Sequence, residues 1–179
     1  MSGLVDADAR ANQDRTAELA NTRSVGLPDH TIRRIRELIV ADREEFDRLL
    51  SGELSKVAQA LIDRGLYNST IQITESQGAC DRSLHARCQR TVEAIRRVLS
   101  THRIGFSDVL ADELQSLFQD LYDTALAEVS QAFRRAVPEQ NKILCATKYE
   151  GVSVDKYRVE IELLADALRH DNANPNGAG

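Results

Sequence analysis

At 179 residues the chain is long enough to bury one core without help from disulfides or metal. Its 42% hydrophobic and 28% charged residues exclude a disordered composition. The formal charge of −5 argues against general nucleic-acid binding, which needs a clustered positive footprint to displace counterions.

Three cysteines, Cys80, Cys88 and Cys145, form no disulfide-framework spacing and point to a reducing compartment. The first residues, MSGLVDADARANQD, lack the basic start and apolar core of a signal peptide. Nowhere do about 18 apolar residues run together. A cytoplasmic chain with no membrane partner is the expectation. With 4% aromatics and no Trp, its core has to be mostly aliphatic.

Residues 1–26 are rich in Ala, Asp, Arg and Asn and read as a flexible or weakly helical segment. After Pro28, Ile32, Ile35, Ile39, Phe46 and Leu50 recur at the helical period. This spacing predicts a helix from Asp29 to Ser51, with Asp29 or Thr31 as cap. Gly52 is expected to break or bend it. Leu54, Val57, Ala58, Leu61 and Ile62 then mark a shorter helix that Gly65 closes in a left-handed conformation. Leu66 and Tyr67 read as plugs over the end of the core.

Two long amphipathic segments follow, about 69–100 and 107–137, joined only by Thr101 to Phe106. So short a connection folds them antiparallel, because that packing buries both apolar stripes at once. The first carries Cys80, Leu84, Cys88, Val92, Ile95 and Leu99. Its opening, Thr70-Ile71-Gln72-Ile73-Thr74, also alternates like a strand, and Gly78 is a possible bend. A helix is preferred, since an isolated strand leaves its backbone unpaired.

The second segment is apolar over a wider face: Leu110, Leu114, Leu117, Phe118, Leu121, Tyr122, Ala125, Leu126, Val129, Ala132, Phe133 and Val137. That width predicts a central helix, with the 69–100 helix at the periphery. Pro138 stops it, and residues 139–146 read as a further turn or two. Ser153 opens a last helix with Val154, Tyr157, Ile161, Leu164 and Leu168, and 171–179 read as a disordered tail. The fold class is therefore all-α: a bundle of about five helices dominated by a long antiparallel helical hairpin, in one domain over 27–170.

No spacing rises to a catalytic, cofactor or metal motif. Cys80, His85 and Cys88 hold the soft-ligand chemistry, but on a helix the two thiols lie roughly 80° apart and His85 about 140° from Cys80. Zinc needs convergent ligands. Cys145 has no histidine placed near it for thiol catalysis. The paired carboxylates Glu44/Glu45, Asp112/Glu113 and Glu160/Glu162 lack the Glu-x-x-His motif of a di-metal site, and Asp108/Asp112 and Glu160/Glu162 read as solvated faces.

Arginine supplies 19 of the 23 basic residues, since lysine occurs four times. Arg33, Arg34 and Arg36, with Arg87, Arg90, Arg96 and Arg97 on the helix expected to be peripheral, form the candidate interaction surface. The functional expectation is a non-enzymatic module acting through protein contacts, with itself or another protein. It would bury a leftover stripe such as Ile32/Ile39/Phe46 or the Phe118/Tyr122/Phe133 side. The alternatives are a regulator binding a phosphate-bearing ligand or acidic partner through these arginines, and a small enzyme with a site the sequence does not display.

Overall fold

A computed structural model describes residues 26–67, 69–102, 109–137 and 149–173. Among them are four helices and no strands: α1 Asp29–Asp63, α2 Thr70–His102, α3 Leu110–Ala136 and α4 Asp155–Ala173. None is long and apolar enough to cross a membrane.

The two helices expected on either side of Gly52 are one. A Cβ at Gly52 would meet nothing within 4 Å, so the glycine marks neither a turn nor a close approach. Its helical penalty of about 1 kcal/mol is outweighed by Leu50, Leu54 and Leu61. All three are buried on the inner face, each worth about 1.5–3 kcal/mol.

At the other end Gly65 does terminate α1, at φ +67°. Its N–H donates to Ile62 O and that of Leu66 to Leu61 O, the paired bonds of a Schellman cap. Tyr67 is exposed rather than a plug, because this cap turns the chain outward before α2 begins.

The start of α1 also differs from expectation. Neither Asp29 nor Thr31 is the cap; Pro28 is, with its carbonyl accepting from Thr31 N and Ile32 N. Leu27 is buried beside it, and its N–H donates to the Glu113 carboxylate on α3.

Cross-helix contacts fix the directions. Glu53 meets Arg82, Asp47 meets Arg87 and Asp42 meets Arg90, so α1 and α2 run antiparallel. Gln72 Nε2 donates to Ala136 O and Arg87 pairs with Glu128, so α2 and α3 are antiparallel as well. On α4, Arg158 Nη2 donates to Gln119 Oε1, while Tyr122 OH of α3 donates to the Val152 carbonyl. Arg96 reaches Glu160. The result is an up-down-up-down helical bundle in which α2 and α3 each pack against all three other helices, with α1 and α4 as flanking elements.

The expected asymmetry between α2 and α3 is overturned. Helix α3 buries its wide stripe as anticipated, with Leu121, Ala125, Leu126 and Ala132 packed at its margins. But α2 is no peripheral element. Besides Ile73, Cys80, Leu84, Cys88, Val92, Ile95 and Leu99 it buries Ser76, Ala79, Arg87, Thr91, Ala94 and Val98. This second stripe consists largely of small or polar residues, which let neighbouring backbones approach yet do not register as apolar width. The strand-like opening is helical too, and the helix continues through Gly78.

Helix α4 buries Tyr157, Ile161 and Ala165, and it continues through Ala173, three residues into the stretch read as tail. The further turn after Pro138, Cys145 and the 103–108 connection lie outside the described residues, as do the first 25 residues and the last six.

Candidate functional site

Among the described residues, the middle of α1 is a long stretch of helix with no buried residue, Leu38 alone packing against the core from its margin. Between Ile35 and Leu50 no α1 residue is buried. Ile39 and Phe46 are half-buried, and Val40 is 62% exposed. Beneath this stretch lies a cavity of about 80 Å³ walled by Ile39, Phe46, Thr91, Leu121 and Ala125. A wider open groove of about 450 Å³, lined by Ile32, Arg33, Arg36 and Glu37, adjoins it. Val40 belongs to the rim of both.

Arginines tie the seam together. Arg87 of α2 has a side chain only 8% exposed and is not on an outward face. It donates from Nη1 to Glu128 at 2.8 Å and from Nη2 to Asp47 at 2.6 Å, and its guanidinium carbon stands 5.4 Å from the Phe46 ring centroid. One buried guanidinium thus joins α1, α2 and α3. Burying it is tolerable because two carboxylates neutralise it and a ring covers it. Its Nε is buried without a hydrogen-bond partner among the described residues. Arg43 holds the other oxygen of Glu128 at 2.6 Å. Arg90 donates to Asp42, a bond that raises the guanidinium pKa above its ordinary value and faces the same cavity.

The remaining candidates scatter. Arg34 pairs with Glu37 one turn along α1, and Arg36 lies 3.7 Å from Asp120 of α3. Arg96 is held at 2.6 Å by Glu160, on the α4 side of α2. Arg33 and Arg97 are exposed, with no carboxylate partner among the described residues. Thus Arg33 and Arg36 share one groove, Arg87 and Arg90 the neighbouring cavity, and Arg96 belongs to a different seam. Sequence reasoning missed Asp42, Asp47 and Glu128 as partners. The available signal was the three-and-four spacing of Ser76, Ala79, Ser83, Arg87, Thr91, Ala94 and Val98, which places Arg87 on a packed face.

Of the two leftover stripes anticipated, one is spent: Phe118, Tyr122 and Phe133 are core residues. Ile32, Ile39 and Phe46 keep part of their surface at the α1 seam.

Among the described residues, Cys80, His85 and Cys88 line neither of these concavities. Cys80 and Cys88 are buried thiols. Burial, with the adjacent Asp81 carboxylate, pushes Cys80 up to about 12. Burial pushes Cys88 up to about 11 despite Lys156. Both are protonated at neutral pH and so poor nucleophiles. His85 Nδ1 lies 3.1 Å from the Tyr157 hydroxyl, which donates to the His85 carbonyl. Tyr149 donates to Asp81 at 2.8 Å, and burial followed by this bond raises its pKa. These contacts fasten residues 149–157 to the bundle. Among the described residues no cluster of three or more His, Cys, Asp or Glu is arranged to hold a metal.

No family model matches the chain, and neither the curated proteins nor the solved structures contain one significantly similar to it.

Proposed function

We propose that the protein is a non-catalytic interaction module, with α2 and α3 joined through 103–108 as the hairpin spine and the α1 seam as its docking surface. The carrying observation is that α1 contributes no buried residue between Ile35 and Leu50, while Val40, at 62% exposure, caps two adjoining concavities. A partner side chain placed over Val40 gains apolar burial of about 25 cal/mol per Å², and the arginine rim sets its orientation. The competing apolar patch is Val159 and Leu163 on α4, 53% and 63% exposed, but neither residue borders these concavities.

The test is to purify the tagged chain from its host and measure the mass of the assembly it sits in. Val40→Asp is expected to reduce the assembly to the bare chain while leaving the melting temperature within about 2 °C. Leu163→Asp is expected to leave it intact. The reverse pattern, or a bare chain from the outset, would refute the assignment.

The anion-binding alternative retains Arg33 and Arg97, which have no carboxylate partner among the described residues, since the other arginines of the candidate surface face the chain's own carboxylates.

A further inference from the structure

The charges flanking Val40 follow a mirrored order along α1. At about 100° per residue, positions three, four and seven away from Val40 on either side share its face of α1 to within about 60°. Toward the N-terminus these positions hold Glu37, Arg36 and Arg33; toward the C-terminus they hold Arg43, Glu44 and Asp47. Each charge before Val40 is answered by its opposite at the same distance after it. All six residues are exposed; Arg36, Arg43 and Asp47 also reach Asp120, Glu128 and Arg87 of their own chain and Glu37 reaches Arg34, so in such a pairing these four take a second partner from their solvent side.

Such antisymmetry has no use within one helix. Arg36 and Glu44 are eight residues apart, about 12 Å along the axis, beyond the reach of a direct ion pair. It has a use between two copies. A two-fold axis through Val40 lays α1 against α1 of a second molecule antiparallel, and every position is then met by its mirror position. Arg33 faces the second copy's Asp47, Arg36 its Glu44 and Glu37 its Arg43, each pairing occurring twice, with Val40 against Val40 at the centre. Parallel pairing in register would set like charges against like.

We propose that this face of α1 is a homodimer interface, in which two chains pair antiparallel about a two-fold axis at Val40. The proposal rests on the reading of the α1 seam as the docking surface, and it names a second copy of the chain as the occupant. The face from Asp29 to Ser51 is about 33 Å long and one helix wide, which is less than the roughly 800 Å² per partner of a standard stable interface. The dimer is therefore weak and reversible, and it weakens further with added salt because its charge pairs are solvent-exposed.

Sedimentation equilibrium of the purified chain, at concentrations from about 5 µM to 500 µM, tests the dimer. A monomer–dimer equilibrium is expected. Arg36→Glu and Glu44→Arg should each raise its dissociation constant about tenfold, since each turns two attractive pairs repulsive. The double variant restores the pairs in reverse and should return to within about threefold of the original. Circular dichroism melts confirm that each variant is folded. A double variant weaker than either single would overturn the proposed register, and a chain monomeric throughout would overturn the homodimer itself. If the purified chain is monomeric while the host assembly still depends on Val40, the homodimer fails and the docking surface stands. If the charge swap behaves as expected but Val40→Asp leaves the dimer intact, the apolar centre is wrong.

Discussion

Helices α1 and α2 are nearly equal in length, 35 and 33 residues, yet are held by different forces. Helix α2 is anchored on two faces, by its aliphatic and thiol residues on one side and by its small residues on the other. Helix α1 is anchored at its ends, by Thr31 and Ile35 and then by Leu50, Leu54 and Leu61. Its middle is moored by ion pairs to Arg87 and Arg90 and from Arg43 to Glu128. Apolar burial stabilises roughly in proportion to area, whereas an exposed ion pair contributes about 0–1 kcal/mol and chiefly fixes orientation. An element secured in the second way keeps surface free for another molecule.

The widest contrast should appear on truncating one residue from each region. Leu84→Ala, at a fully buried position of α2, should lower stability by about 3 kcal/mol, whereas Val40→Ala should change it by less than about 0.5 kcal/mol. Urea titration followed by circular dichroism measures both, and a comparable loss at Val40 would mean that the middle of α1 is anchored after all.

A smaller effect probes the mooring itself. Arg87→Met should cost about 2 kcal/mol, because Glu128, 18% exposed, is left with Arg43 alone while Asp47 can return to water. Adding Glu128→Gln should recover part of that loss. A stabilised Arg87→Met variant would show that apolar packing could replace the bridge, making orientation its remaining role.

The smallest effects sharpen the comparison at two glycines. Gly52→Ala in α1 fills open space and should stabilise by up to about 1 kcal/mol. Gly151→Ala should destabilise by about 1–2 kcal/mol: its φ is +88°, and a Cβ would stand 2.4 Å from Tyr122 Oη and 2.9 Å from Leu126 Cδ1. Equal responses at both sites would contradict the distinction between a loose flank and a tightly fastened one.

Much of the architecture was legible. The apolar positions of α3 and α4 recur at three-and-four spacing and are the ones packed into the core, and Gly65 announces its cap through the left-handed conformation that glycine adopts freely. Gly52 misled because a local penalty of about 1 kcal/mol carries no information about the leucines that outweigh it. Helix α2 misled for a related reason: Ala, Ser and Thr are as common on surfaces as in close helix contacts, and only the neighbours distinguish the two. Of the candidate surface, the arginines were visible in the sequence, but Arg87 was assigned to solvent because its carboxylates come from helices 40 and 41 positions away.

The sequence by itself determined an all-helical chain, the residues lining its main apolar stripes, and the mirrored order of charges about Val40, because each follows from the helical repeat and side-chain chemistry alone. Only the tertiary structure decided that α2 lies between its neighbours, that Arg87 is buried, and that Val40 is left uncovered above a cavity. Those outcomes depend on which faces meet, and a pattern along one helix cannot specify the surface that packs against it.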